Sequence, residues 1–241
     1  MSLKSSLLRR ARLLLVDIEG TLLDSETATS LGFYRALQRY GFRGDFAESQ
    51  ALYRVWSDIQ REDFQLYLAG EQAFDQHYYQ RIASMLNLMT GTAHSQERAE
   101  GFLGCFEAHR RQAWVAFDDV EGFMRGLDLY SSHLQVVAVT NGSQAVEQAK
   151  LDTLGLSDLP LLTSQLLGTS KPKEDFFRLI CAALETDPAF AVHVGNNFLA
   201  DVQAPVGAGL GAVWVNRSRR HQQIPPGIER VRALTELIDH Y

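Results

Sequence analysis

Residues 13–24 read LLLVDIEGTLLD, an aliphatic run that stops at an acidic residue. The run Leu13–Val16 is short, apolar and rich in branched side chains, which is typical of a strand buried on both faces of a sheet. Asp17 begins a polar segment that contains Gly20, so we predict a loop there. The stretch therefore predicts a buried strand whose carboxyl end carries an acidic side chain.

Similar runs recur later in the chain and alternate with helical patterns. Three are strong and a fourth is weaker, and in that order they are Val136–Val139, Ala191–Val194, Ala212–Val215 and Leu159–Thr163. Segments dominated by Ala, Leu, Gln and Glu lie between the later runs, at Ser143–Leu154 and Glu174–Leu184. This alternation predicts an α/β fold with a doubly wound parallel sheet, whose ligand site lies beyond the carboxyl ends of the strands.

Residues 23–115 have a different character. They contain no convincing strand and no proline, and their apolar residues recur at three- and four-residue spacing. We therefore predict a helical domain over 23–115, inserted into a catalytic core formed by 1–22 and 116–241. Most of the aromatic residues fall in the insertion, and they either pack a helical bundle or line a substrate pocket. The pocket candidates are Tyr53, Trp56, Tyr67, Tyr78 and Tyr79.

Composition narrows the class of function. The 241 residues carry a formal charge of -6 without a strongly basic segment, which argues against a nucleic-acid or anionic membrane surface. Cys105 and Cys181 lie far apart and lack CxxC or metal-finger spacing, so we expect reduced thiols in a cytoplasmic protein, with a single disulfide as the alternative. The apolar run after the basic start is too short for a signal peptide or a membrane span. Small-molecule chemistry is the expectation that remains.

Polar residues follow the predicted strands where the strands end. Asp17 follows the first run, Thr140-Asn141 the second and Gly195-Asn196-Asn197 a later one, while Lys171-Pro172 precedes the helical pattern at Glu174. Because parallel strands share one carboxyl edge, we expect these side chains to meet there.

These segments together resemble the four motifs of the haloacid dehalogenase-like hydrolase superfamily. The motifs are Asp17-Ile18-Glu19-Gly20-Thr21, Thr140-Asn141-Gly142, Lys171-Pro172 and the segment from Gly195 to Asp201, in the family's order. The insertion is similar to the C1 cap of the subgroup that holds nucleotidases, phosphoglycolate phosphatases and 2-haloacid dehalogenases. The resemblance implies a Rossmann-like core with a cap.

The resemblance also implies roles for individual residues. Asp17 would be the nucleophile that forms an aspartyl-phosphate, and Glu19 the general acid and base. Thr140 would donate to a phosphoryl oxygen and Lys171 would neutralise negative charge. The substrate-binding positions would be Gly20, Thr21, Asn141 and Gly142.

Magnesium is the cofactor that the resemblance implies, and it prefers oxygen ligands. The ligands that the resemblance implies are the carboxylate of Asp17, the backbone carbonyl of Glu19 and a carboxylate from the fourth motif, where this chain offers Asn196 and Asp201, with water completing the shell. Asp201 either binds water on the metal or fixes Lys171.

Two positions depart from the usual motifs. The acid/base position is Glu19 instead of the usual Asp, and the extra methylene moves the carboxyl group by about 1 Å, which can cost roughly a hundredfold in rate if uncompensated. Asn196 replaces the usual Asp of the fourth motif, so one negative charge is missing and the magnesium affinity should fall.

Three functions follow, in order of preference. The first is a magnesium-dependent phosphomonoester hydrolase, monomeric or homodimeric, that acts on a small phosphorylated metabolite. The second is a 2-haloacid dehalogenase, which Glu19 disfavours, as does Phe177 where those enzymes have tyrosine. The third is a binding or regulatory module with a decayed site. Outside the motifs, we expect His193 to be a packed core residue, and the basic cluster that begins at Arg217 to lie in a solvated loop.

Overall fold

The computed structural model describes residues 3–68, 74–130, 133–219, 221 and 223–238. The chain forms two compact units, one made of Met1–Asp24 with Val115–Tyr241 and the other of Ser25–Trp114. In the described part of the chain, no helix is both long and apolar enough to cross a membrane.

The first unit is built on a six-stranded sheet in which every neighbouring pair is parallel. The strands are β1 Leu13–Val16, β2 Gln135–Thr140, β3 Leu161–Thr163, β4 Ala191–Gly195, β5 Gly211–Val215 and β6 Glu229–Val231. Their order, β3-β2-β1-β4-β5-β6, reverses between β1 and β4. A crevice opens at such a reversal, beyond the carboxyl ends of the strands. The predicted doubly wound α/β fold is confirmed.

Helices connect the strands and complete the two units. Ser25–Trp114 holds α1 Ser25–Arg39, α2 Phe46–Leu68, α3 Phe74–Thr90 and α4 Gln96–Gln112. The sheet unit holds α5 Val120–Tyr130, α6 Gln144–Thr153, α7 Ser164–Leu167, α8 Glu174–Ala183 and α9 Ala204–Gly207. A π-helical turn, Phe198–Gln203, leads into α9, and 3-10 turns occur at Leu8–Arg10, Pro188–Phe190 and Leu234–Leu237.

The sheet is buried on both faces, as its aliphatic strands require. Leu13 and Leu15 of β1 pack with Phe176 and Phe177 of α8 in one cluster. Trp214 of β5 belongs to a second cluster. Fully burying one side chain of this size contributes about 1.5–3 kcal/mol, so these layers hold the strand ends in fixed positions.

The sequence missed one strand and misplaced the start of another. β6 is only three residues long, and Glu229 and Arg230 break its apolar pattern, as is common at a sheet edge. The weaker run predicted from Leu159 begins as a strand at Leu161.

Aromatic side chains pack the second unit. The Phe33 and Trp56 rings stack with their centroids 5.0 Å apart, and Tyr53 meets Phe33 edge-on at 5.2 Å. Trp56 is 3% exposed and therefore belongs to this unit's core. The side chains of Tyr67 and Tyr78 lie outside the described residues, so a pocket role for them stays a prediction.

Candidate active site

Asp17 lies directly after β1, beside the crevice. Its backbone N–H donates to the carbonyl of Val194 (2.9 Å), so β1 and β4 still pair where the strand ends. The buried carboxylate accepts from Lys171 Nζ at Oδ1 (2.6 Å) and from Thr21 Oγ1 at Oδ2 (2.9 Å). A donor therefore holds each oxygen, and the side chain keeps one orientation.

A tight turn over residues 18–23 follows the aspartate, closed by a hydrogen bond from Leu22 N–H to the carbonyl of Ile18 (2.9 Å). Gly20 has a φ of 76°, in the left-handed region that glycine adopts most easily. A Cβ at Gly20 would lie 2.2 Å from Nδ2 of Asn196. The loops after β1 and β4 therefore touch at Gly20 and Asn196, and another side chain at position 20 would push them apart.

Lys171 reaches Asp17 from the loop before α8, and Asn141 secures that loop. The amide of Asn141 donates from Nδ2 to the backbone carbonyl of Lys171 (2.8 Å), and its Oδ1 accepts from the Lys171 N–H (2.9 Å). The peptide bond to Pro172 is cis, and α8 begins after Lys173, its N-cap. The substrate-binding role of Asn141 stays a prediction, and in the structure its side-chain amide anchors the backbone of Lys171.

Asp201 is the second carboxylate on Lys171, with 2.8 Å between Oδ1 and Nζ. The same oxygen lies 3.1 Å from Nε2 of His193, and Oδ2 accepts from the backbone N–H of Asn197 (2.9 Å). His193 is fully buried, as predicted for a packed core residue, but its contact with Asp201 was not foreseen. Of the two roles predicted for Asp201, fixing Lys171 is the one that these contacts describe.

Burial and charge act in opposite directions on this cluster. Burial raises the pKa of Asp17 to about 7, since the Lys171 ammonium offsets only part of that cost and Asp201 adds a like charge. Burial also disfavours ionised Asp201, but Lys171 and His193 hold the pKa of that carboxyl well below its usual range. Burial opposes the charge of Lys171 as well, yet the two carboxylates raise its pKa above the ordinary value. Lys171 is therefore a cation at any physiological pH.

Thr140 and Gly142 lie on and just after the end of β2. The Thr140 hydroxyl is buried, and its hydrogen bonds to the described residues are long, at 3.4 Å to the carbonyl of Asn141 and 3.4 Å to Oε2 of Glu147. The Gly142 N–H donates to Ser164 Oγ (2.9 Å). In this structure Thr140 keeps a weakly held hydroxyl, whereas the Gly142 amide predicted for substrate already has an acceptor.

Glu19 contacts Lys150, which in turn contacts Glu147, and sequence reasoning missed both of these residues. Its Oε1 lies 2.6 Å from the ammonium of Lys150, which also contacts Oε1 of Glu147 at 2.7 Å. Lys150 and Glu147 are buried on α6, three residues apart. Burial raises the pKa of Glu147, and the hydrogen bond from Lys150 opposes that rise. The sequence signal that could have revealed Glu147 and Lys150 is their position on the same face of α6 as the buried Leu151.

The position of Arg217 contradicts the expectation that this residue lies in a solvated loop. Its guanidinium binds both carboxylate oxygens of Asp119 at 2.9 Å, donates to the carbonyl of Thr21 (2.9 Å) and lies 3.8 Å from the centre of the Phe117 ring. Arg217 therefore supports the loop that carries Thr21. Arg219 is exposed, as expected for the rest of the cluster.

The predicted magnesium ligands fit that ion by their chemistry. Among the described residues no group of three or more His, Cys, Asp or Glu side chains is arranged to hold a metal. The predicted set needs fewer carboxylates, because a backbone carbonyl, an amide oxygen and water complete it. Asp17 and Asp201 share one ammonium, so one negative charge is uncompensated, in agreement with the raised pKa of Asp17. A divalent cation beside Asp17 would balance that charge.

Comparison with known proteins agrees with the four motifs. The family model described as haloacid dehalogenase-like hydrolase matches residues 11–209. The chain is 23% identical over 219 residues to N-acylneuraminate-9-phosphatase of Mus musculus, covering 88% of this chain and 86% of that protein. It is 28% identical over 172 residues to the pyrimidine 5'-nucleotidase YjjG of Escherichia coli, covering 69% and 76%.

Solved structures share the fold. The magnesium-bound HAD-hydrolase YfnB of Bacillus subtilis superposes with a TM-score of 0.73 at 19% identity, covering 95% of this chain and 97% of that one. At such identity the likeness concerns the fold, and the chemistry has to be argued from the residues.

Proposed function

The chain belongs to the haloacid dehalogenase-like hydrolases, and from this premise we propose that it hydrolyses a small phosphate monoester through an aspartyl-phosphate on Asp17. The observation that carries the proposal is the buried Asp17–Lys171–Asp201 cluster at the carboxyl ends of β1 and β4. It combines a fixed carboxylate with a permanent cation, as attack on an anionic phosphoryl group requires. The phosphatase and nucleotidase relatives support the same reaction class.

The first step transfers the phosphoryl group to the protein. An Asp17 carboxylate oxygen attacks phosphorus, and the bond from phosphorus to the ester oxygen breaks. Glu19 gives its proton to that departing oxygen, which leaves as an alcohol. Lys171 stabilises the charge on the phosphoryl oxygens. The Thr140 hydroxyl, which is held by long contacts of 3.4 Å, donates to one of those oxygens.

The second step frees the protein. Glu19, now a carboxylate, takes a proton from water while the water oxygen attacks phosphorus. The bond between phosphorus and Asp17 breaks, and inorganic phosphate leaves. Asp201 touches no substrate in this scheme: it holds Lys171 in place, as its 2.8 Å contact suggests.

Magnesium, when bound, would be held by the Asp17 carboxylate, the Glu19 carbonyl and the Asn196 side chain, and would reduce the repulsion between nucleophile and phosphate. The contact between Gly20 and Asn196 supports this set, because it brings the loops that carry these ligands together.

Dehalogenation and a binding module fit less well. Phe177 stands where dehalogenases have tyrosine, and its ring is buried against that of His193, 5.1 Å between centroids, where it offers no hydroxyl. A decayed site would have little reason to keep two buried carboxylates at 2.6 and 2.8 Å from one buried ammonium.

A chromogenic phosphomonoester, assayed with and without magnesium, tests the proposal. We expect magnesium-dependent turnover that Asp17→Asn abolishes and that Asp152→Asn, the same change on the exposed face of α6, leaves intact. Turnover that survives Asp17→Asn or ignores EDTA would overturn the mechanism. A screen of nucleotides and sugar phosphates would then identify the substrate.

A further inference from the structure

We propose that Lys150 is a positioning residue for the reaction, whose ammonium fixes the Glu19 carboxylate at the place from which it exchanges protons. The inference rests on the proposed function, because it assumes that Glu19 is the acid and base. It concerns a residue outside the four motifs.

The contact joins distant parts of the chain. Lys150 Nζ lies 2.6 Å from Oε1 of Glu19, 131 residues away in sequence. The Lys150 side chain is 3% exposed, whereas that of Glu19 is 44% exposed. A half-exposed glutamate ordinarily samples several rotamers, and holding it in one of them costs conformational entropy. A buried ammonium that is itself immobile selects one of those positions.

Glu147 explains why Lys150 is immobile. Its carboxylate is 4% exposed and lies 2.7 Å from Nζ, one helical turn from Lys150 on α6. A Cβ at Gly142 would lie 2.6 Å from Oε1 of Glu147, so the absence of a side chain at Gly142 leaves room for this carboxylate. The other oxygen of Glu147 is 3.4 Å from the Thr140 hydroxyl. The α6 pair therefore adjoins two of the predicted catalytic residues.

This arrangement answers the question that Glu19 raises. The side chain is one methylene longer than the aspartate usual at this position, and a misplacement of about 1 Å can cost roughly a hundredfold in rate. The added length lets the carboxylate reach Lys150, which supplies the missing constraint. Stability alone is a weak reason for the pair, because buried ion pairs are often no more stable than apolar replacements of similar size.

The test compares leaving groups. A nitrophenolate leaves without much help from an acid, whereas an alkoxide needs a proton, so misplacing Glu19 harms alkyl phosphates selectively. The double variant Lys150→Met/Glu147→Gln removes the cation without leaving a buried carboxylate unpaired. Relative to wild type, we expect kcat/KM on an alkyl phosphate to fall at least about tenfold further than on p-nitrophenyl phosphate.

Three further variants separate positioning from folding. In Glu147→Gln alone, the amide oxygen can still accept a hydrogen bond from Lys150, so the contact between Lys150 and Glu19 remains and the ratio of kcat/KM on the two substrates should change much less than in the double variant. Lys150→Arg keeps a cation and should therefore retain most of the wild-type ratio of kcat/KM on the alkyl phosphate to kcat/KM on p-nitrophenyl phosphate. In a Glu19→Gln background, adding the double variant should cause no further selective loss on the alkyl phosphate. Thermal unfolding of each variant verifies the fold.

The outcomes distinguish this inference from the proposed function. Equal losses on both substrates in a folded double variant, or a selective loss that persists in Glu19→Gln, would overturn the positioning role while the phosphatase reaction stands. If wild type hydrolyses no phosphate monoester faster than Asp17→Asn does, the proposed function is overturned, and the role of Lys150 with it.

Discussion

Lys171 and Asp17, 154 residues apart in sequence, form a buried ion pair with Nζ 2.6 Å from Oδ1. The pair exists because β1 and the loop before α8 meet at one edge of the sheet, where Asn141 holds the backbone of Lys171. Asp201 binds the same ammonium at 2.8 Å, so one cation serves two carboxylates. The ammonium offsets only part of the cost of burying the Asp17 carboxylate, which has consequences for stability as well as for chemistry.

The first consequence concerns pH. The pKa of Asp17 is about 7 in the folded chain against an ordinary value of 3.8, so between these values the folded state binds more protons than the unfolded state. The contribution of Asp17 to the free energy of unfolding therefore falls as pH rises from about 4 to about 7. The side-chain amide of the Asp17→Asn variant cannot ionise. In metal-free buffer the free energy of unfolding of this variant should therefore increase relative to that of wild type as pH rises across that range. The increase should reach up to ~4 kcal/mol, at about 1.4 kcal/mol per pKa unit.

Urea unfolding of both proteins at several pH values between about 4 and 8 measures this difference. Magnesium should narrow the gap at neutral pH, because it binds and stabilises the folded wild type. Parallel stability curves in metal-free buffer would show that the carboxylate carries no such penalty.

Asp201 should matter through Lys171. Asp201→Asn removes one of the two negative charges that bind the Lys171 ammonium. The backbone N–H of Asn197 can still donate to the side-chain oxygen of the new asparagine. Because Lys171 acts on charge that develops during phosphoryl transfer, we expect kcat to fall about a hundredfold and KM to change much less. Steady-state kinetics beside Asp152→Asn test this, and a rise in KM at unchanged kcat would place Asp201 in substrate binding instead.

Much of the fold could be predicted from the sequence, because aliphatic runs and helical spacing are local patterns. β1, β2, β4 and β5 occur where the runs are. β6 could not be found, since an edge strand of three residues with two charged side chains has almost no local pattern. The motif residues of the site were found by their order along the chain.

The contacts that organise the site could not be predicted in the same way. The positions of Lys150 and Arg217 depend on how distant segments approach the loop after β1, which composition does not encode. Asn141 is informative for the same reason: its amide could face substrate or backbone, and only the three-dimensional arrangement shows that it binds Lys171.

The turn after Asp17 should tolerate no side chain at Gly20. Gly20→Ala places a Cβ 2.2 Å from the Asn196 amide at a φ of 76°, so it combines backbone strain with a steric clash. Gly155→Ala is a matched control, because Gly155 has a φ of 73° and nothing within 4 Å of the added Cβ. We expect Gly155→Ala to cost about 1 kcal/mol and to keep activity, whereas Gly20→Ala loses more stability and most activity. Equal effects in thermal unfolding and turnover would show that the contact with Asn196 is unimportant.

Arg217 should contribute more to stability than an ordinary surface arginine. Its side chain is 19% exposed and its guanidinium pairs with Asp119 through two hydrogen bonds, so Arg217→Met leaves a largely buried carboxylate without its main partner. We expect a loss of ~2 kcal/mol or more in the free energy of unfolding. Arg178→Met removes an exposed arginine that pairs with the carboxylates of Glu174 and Asp175, and it should change stability far less. Similar losses in denaturant unfolding for both variants would contradict this difference.

Asn196 decides how the site handles magnesium. Its side chain packs against Gly20, beside the turn that carries the predicted metal-binding carbonyl of Glu19. Asn196→Asp has nearly the same shape and adds a negative charge at a predicted ligand position, so the ion should bind more tightly, by about tenfold or more. Magnesium titration of the reaction rate measures this directly, and calorimetric titration of the inactive Asp17→Asn background, with and without Asn196→Asp, measures it without turnover. Asn197→Asp, one residue further and exposed, controls for the added charge alone. An unchanged magnesium requirement in Asn196→Asp, or an equal gain in Asn197→Asp, would show that residue 196 does not ligate the metal and that its amide serves only to pack the two loops together.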